Sequence, residues 1–131
     1  MTTELLALTL SGLLLAAQLI LMAVLANLQI GSAYFLTPRD KPPPEPINPR
    51  ILRLQRAYNN HLEALVLFTV AVAAVTLTGS ANGITATCAM RYLAARVLFV
   101  PAYAYGWMPW RSVFFGIGFA ASITMLLVAL L

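Results

Sequence analysis

Four long apolar runs separated by three polar breaks set the pattern of this chain. From Leu5 to Ile30 the sequence is almost continuously apolar, interrupted only by small or amide residues such as Ser11, Gly12, Gln18, Asn27 and Gln29. A hydrocarbon core of ~30 Å needs about 20 helical residues, so the run predicts a tilted span over 5–30. The first break, Thr37 to Pro49, holds six of the eight prolines and predicts an extended, stiff connector. A second span is expected over 53–78, its helix starting between Pro49 and Arg53. The uncharged turn Thr78-Gly79-Ser80-Ala81-Asn82-Gly83 separates it from a third span over 84–105. Gly106-Trp107-Met108-Pro109-Trp110 forms an aromatic turn before a fourth span over 111–131, and its tryptophans suit a membrane interface. The pattern predicts an all-α membrane protein, a four-transmembrane-helix bundle in a single domain over 1–131.

Composition sharpens the class. Of the 131 residues, 61% are apolar and 9% charged, far below the about 25% charge of a soluble domain. The net charge of +4 does not indicate nucleic acid, because the basic residues lie in loops and at helix ends. Cys88 is the one cysteine, so no intrachain disulfide is expected and a packing role suits its apolar setting. With a single histidine far from that cysteine, no metal site is expected. The N-terminus lacks the basic region of a signal peptide, so the first run is read as a retained span. Arg39, Lys41, Arg50, Arg53 and Arg56 flank the first loop, Arg111 follows the third, and the second carries no charge. By the positive-inside rule the first and third loops face the cytoplasm, and both termini lie outside it.

One stretch breaks the apolar pattern: Arg53-Leu-Gln-Arg56-Ala-Tyr-Asn59-Asn60-His61-Leu-Glu63. On a helix at ~100° per residue with Arg56 at zero, Asn60 falls near ~40°, Glu63 near about −20°, Arg53 near ~60° and Asn59 near about −60°. Five polar groups share one side, and His61 lies off it. Polar groups in hydrocarbon are costly, so such a stripe marks a functional site by default. On the third span Tyr92, Arg96, Phe99 and Tyr103 share a face, with Arg91 pointing elsewhere. Glu63 and Arg96 are expected at similar depth and therefore as an ion pair. The two faces together predict a polar pocket open to the cytoplasm with Arg111 at its mouth. Arg39, Arg53, Arg56 and Arg111 offer guanidinium forks that match carboxylates. Glu63, Asn59 and Asn60 can receive an ammonium or amide. A peptide-like molecule with both signs of charge fits, glutathione among others.

The spacing Arg56-x-x-x-Asn60-x-x-Glu63-x-x-x-x-Phe68, in a chain of four short spans, resembles the MAPEG family, the membrane-associated proteins in eicosanoid and glutathione metabolism. Ala95-Arg96-Val97-Leu98-Phe99-Val100-Pro101-Ala102-Tyr103 and Arg111-Ser112 are similar to its bacterial branch, and the likeness covers essentially the whole chain. The resemblance implies a homotrimer with glutathione as co-substrate, held between neighbouring subunits near the cytoplasmic face of a bacterial inner membrane. It implies Arg56, Asn60, Glu63 and Tyr103 as glutathione contacts and Arg111 as the catalytic arginine that stabilises the thiolate. Arg53 and Arg96 join the binding set from their positions beside the stripe. The chain departs from the family pattern at Phe99, where many members have tyrosine, and in the proline-containing turn that shifts Arg111 relative to Arg96.

The expected function is a glutathione S-transferase or glutathione-dependent peroxidase acting on lipophilic small molecules that arrive through the membrane lipids. The two departures favour an alternative, a non-catalytic membrane protein that keeps the scaffold for binding, assembly or an accessory role. A transporter or proton channel titrating His61 and Glu63 is a third reading, for which a four-span protomer offers little room.

Overall fold

The computed structural model describes residues 1–131. It contains four long helices and one short one: α1 (Thr3–Ile30), α2 (Ser32–Phe35), α3 (Pro49–Leu77), α4 (Gly83–Ala104) and α5 (Trp110–Leu130). α1, α3, α4 and α5 are each long and apolar enough to cross a membrane. Local chemistry sets their ends. Thr2 caps α1 through a hydrogen bond from the Leu5 amide, and Asn82 with Thr85 forms a reciprocal capping box on α4. Asn48 caps α3 with Pro49 in its first turn, where a missing amide proton costs nothing. That cap starts the second long helix at Pro49, inside the expected range of Pro49 to Arg53. The one-turn α2 was not expected from the sequence.

α3 and α4 form the centre of the bundle. α1 packs against both from one side and α5 from the other, and α1 and α5 do not touch. The core is built from Ala7, Ala71, Ala89 and Ala121, around which Phe68, Val72, Val75, Tyr92 and Met125 close. Small residues let the helix backbones approach, which is how helices associate where lipid supplies no hydrophobic drive between them. At the middle, the Phe68 and Tyr92 rings stack with centroids 3.8 Å apart and planes within 10°.

Polar and apolar positions on α1 are inverted relative to a soluble helix. Its buried residues are Glu4, Ala7, Ser11 and Gln18, while Leu13, Ile20 and Leu28 point outward. The inward face therefore recurs every three, four or seven residues with small or polar side chains. Each polar group needs an internal partner in hydrocarbon. Glu4 accepts from the Thr85 hydroxyl of α4, and Gln18 Oε1 meets His61 Nδ1 of α3. His61, off the polar stripe, is fully buried inside the protomer. The reason is its angle on α3, about 140° from Arg56, which turns it toward α1.

Gln29 ties the proline-rich loop to the end of α1. Its side-chain amide donates to the Pro46 carbonyl at 2.9 Å, and its carbonyl accepts from the Asn48 amide at 2.8 Å. One side chain thus holds the last residues of the loop and the cap of α3 together. At the same end, Gly106 turns the chain between α4 and α5 at φ 68°, beside the Arg53 guanidinium. This end of the bundle carries both basic loops and is called the basic end below.

Candidate functional site

Asn60 of α3, Phe99 and Tyr103 of α4, and Arg111, Ser112 and Phe115 of α5 enclose a cavity of ≈ 180 Å³ toward the basic end. Helix phase brings them together. Phe99 and Tyr103 are one turn apart on α4, and Arg111 and Phe115 are one turn apart on α5. The Arg111 guanidinium lies 5.2 Å from the centre of the Tyr103 ring, and its Nη2 reaches Met108 Sδ at 3.6 Å. Neither neighbour carries a negative charge, so Arg111 presents an uncompensated cation at the cavity wall. A carboxylate or thiolate is the kind of group that such a cation holds.

Arg96 lies behind this cavity and is almost wholly buried. Its Nη1 donates to Asn60 Oδ1 at 3.0 Å, and its guanidinium lies 4.2 Å from the centre of the Phe99 ring. Nε and Nη2 have no partner. The expected ion pair between Glu63 and Arg96 is therefore not made. Position along the two helices accounts for it. Counted from Pro49, Glu63 lies about 21 Å along its helix, whereas Arg96 lies about 12 Å from the end of α4. Asn60 is one turn nearer the basic end and meets the guanidinium first.

The polar stripe of α3 consequently divides. Asn60 faces inward, while Arg56, Asn59 and Glu63 are exposed on the outer face of the protomer, followed by Leu62, Val66 and Val70. Arg53 lies half-buried beside Gly106 and does not line the cavity. Arg91 is exposed on α4. Of the seven expected site residues, Asn60, Tyr103 and Arg111 line one cavity, and Arg96 touches it through Asn60. Arg56 and Glu63 do not line it, and Glu63 lines the adjoining one.

A second cavity of ≈ 170 Å³ adjoins the first, with Phe115 common to both. Tyr92 and Arg96 line it from α4, Gly118, Phe119 and Ser122 from α5, and Glu63 with Leu67 from α3. Gly118 is needed where the helices approach: a Cβ there would stand 3.4 Å from the Tyr92 ring. Sequence reasoning missed Ser112, Phe115, Gly118 and Ser122 as lining residues. Their signal was present in the phase of α5, since Ser112 and Phe115, and likewise Phe115, Gly118 and Ser122, recur at intervals of three or four.

No curated protein matches the chain closely enough to count as a relative. The model of the MAPEG family matches residues 7–131, which takes in all four long helices almost completely. The family includes glutathione-dependent transferases and peroxidases as well as non-catalytic members. By that match, and with four helices built to cross a membrane, the chain belongs to the MAPEG family.

Proposed function

We propose that the protein is a membrane-embedded glutathione-dependent transferase acting on lipophilic electrophiles. One observation carries the reading: Asn60, Tyr103 and Arg111 converge from three helices on a single cavity whose wall bears a cation without a counter-ion. A carboxylate of glutathione, or its thiolate, meets Arg111, and Tyr103 and Asn60 offer hydrogen bonds to the peptide. Arg96 acts on the site as a positioning residue, through its bond to Asn60. The thiolate sulfur attacks an electrophilic carbon, the S–C bond forms, and the leaving group departs with its electron pair. An arginine within reach of the sulfur favours the ionised nucleophile. With a peroxide as acceptor the same thiolate attacks oxygen, the O–O bond breaks, and a second glutathione reduces the sulfenic product to disulfide and water.

The exposed Arg56, Asn59 and Glu63 support an assembly of copies, a homotrimer in the family pattern. Polar groups directed into hydrocarbon are costly, and a neighbouring copy covers them. Arg56, Glu63 and Arg53 then reach glutathione at the junction between protomers. The basic end faces the cytoplasm of a bacterium, from which the peptide enters, while the acceptor arrives from the bilayer.

A non-catalytic scaffold is the second reading, favoured by the Phe99 ring in the cavity wall, which supplies no hydroxyl. Ultraviolet absorbance of thiolate on adding glutathione to the purified protein separates the two. The transferase reading expects a signal in the wild type that Arg111→Ala abolishes. Absence of signal from both proteins sinks it, and titration calorimetry then shows whether glutathione binds at all.

A further inference from the structure

We infer that Glu63 of one protomer forms an ion pair with Arg91 of the neighbouring copy, and that this pair fixes the register in which copies assemble within the bilayer.

The charges of the chain divide by depth. There are four acidic residues and eight basic ones. Asp40 and Glu45 lie in the proline-rich loop, and Glu4 is buried at the opposite end of the bundle, where it accepts from the Thr85 hydroxyl. Glu63 is left as the one carboxylate in the middle of the spans. Arg39, Lys41, Arg50, Arg53, Arg56 and Arg111 lie in the loops or the first turns of helices at the basic end, and Arg96 is buried against Asn60. Arg91 is left as the one cation that is deep in a span and not buried.

Both remaining groups are exposed on the outside of the protomer, where hydrocarbon would surround a single copy. A charge at that depth is costly and calls for a protein partner. Within one protomer the two do not face each other, because Arg91 points ~140° away from Arg96, the residue of α4 that meets α3. Their depths agree. From the bond between Asn60 and Arg96, three residues of α3 lead to Glu63 and five residues of α4 lead to Arg91, both away from the basic end. These steps rise about 4.5 Å and about 7.5 Å, a difference that a flexible arginine side chain spans.

Symmetry turns equal depth into contact. Copies arranged in a ring within a bilayer are related by rotation about its normal, so a residue meets only groups at its own depth in the next copy. Arg91 then has a single carboxylate at its level. Arg56 does not compete for Glu63, since it lies about 10 Å nearer the basic end. A pair between two different residues runs head to tail and closes a ring, each copy giving Glu63 to one neighbour and Arg91 to the other. This pairing rests on the assembly proposed above and adds to it the partner of Glu63. A carboxylate has two oxygens, so one remains for a ligand at the junction.

Two measurements test the pair. In the first, protein in detergent is diluted by mole fraction and its oligomers are counted by native mass spectrometry. The wild type is expected to assemble, and Glu63→Gln and Arg91→Gln should each weaken association about tenfold or more, because each strands one charge. The exchanged protein, Glu63→Arg with Arg91→Glu, should recover most of that loss. In the second, Glu63→Cys and Arg91→Cys are co-expressed with different tags on a Cys88→Ala background and placed in nanodiscs. A short bifunctional methanethiosulfonate should join the two tags. A monomeric wild type overturns the assembly and the pair together. An assembled protein in which the two cysteines are not joined overturns the pair and leaves the assembly standing. Association weakened by Arg91→Gln and untouched by Glu63→Gln also overturns it, because Arg91 then finds its anion elsewhere. Should a charge variant fail to fold, the cross-link decides.

Discussion

Arg96 donates its one hydrogen bond to Asn60, at 3.0 Å, and not to the carboxylate of Glu63 one turn deeper on the same helix. A neutral amide thus orients a buried guanidinium between two cavities, and the carboxylate is left on the outer face. Asn60→Ala removes the last partner of Arg96 and should cost about 1.5–3 kcal/mol. Glu63→Ala should cost the isolated protomer little. A thermal-denaturation cycle in detergent on Asn60→Ala and Arg96→Met should give a coupling of about 1 kcal/mol or more. Additive losses would mean that the bond does not matter.

His61 and Gln18 join α3 to α1 where both are fully or almost fully buried. Hydrogen bonds between membrane helices average about 0.6 kcal/mol and reach about 1.7. Gln18→Leu alone should exceed that, because it takes from a buried imidazole, whose Nε2 already has no partner, its one hydrogen bond. The double replacement Gln18→Leu with His61→Leu should recover most of the loss. Unfolding in mixed micelles measures both, and a double variant weaker than the single one would refute the pairing.

Phe68 and Tyr92 stack at the centre, and Gly118 lies against the same tyrosine. Phe68→Ala should lose about 3–5 kcal/mol through its cavity. Gly118→Ala should stay within about 1 kcal/mol of wild type, since its methyl meets the ring at 3.4 Å and alanine favours the helix. Gly118→Leu overfills the gap and should cost about 1–3 kcal/mol. Thermal midpoints that rank the three otherwise would discount this packing.

Gln29 holds the loop through Pro46 and Asn48, both at the edge of the bundle. Gln29→Ala should leave the thermal midpoint nearly unchanged, because surface hydrogen bonds contribute about 1 kcal/mol. Hydrogen exchange at the Asn48 amide should accelerate markedly, as its acceptor is lost. An unchanged exchange rate would show that the loop is held by other contacts.

The helices were legible because their cause is local. Twenty or so apolar residues in a row have one stable form in hydrocarbon, so Leu5–Ile30 and the three later runs predict their own helices. The start of α3 was legible, since a helix expected to begin between Pro49 and Arg53 begins at Pro49, while the cap that Asn48 makes on it was not read from the sequence. The angular stripe was correct as an angle and incomplete as a site. Asn60 at ~40° bonds Arg96 and lines one cavity, whereas Glu63 at about −20° reaches only the exposed rim of the adjoining one, and helix phase alone does not say which cavity a residue meets.

What the sequence by itself determined is the class, the four spans, the basic end and the family to which the spacing of Arg56, Asn60 and Glu63 points. Composition and periodicity carry these, because each residue contributes independently of which helix it meets. Only the tertiary structure decided the partners. Arg96 met Asn60, His61 met Gln18, Glu4 met Thr85, and Arg111 came over Tyr103. Each pair joins two different helices, and whether two side chains meet depends on the relative depth and rotation of both. Those quantities are settled by packing across the whole bundle, which no single run of residues contains.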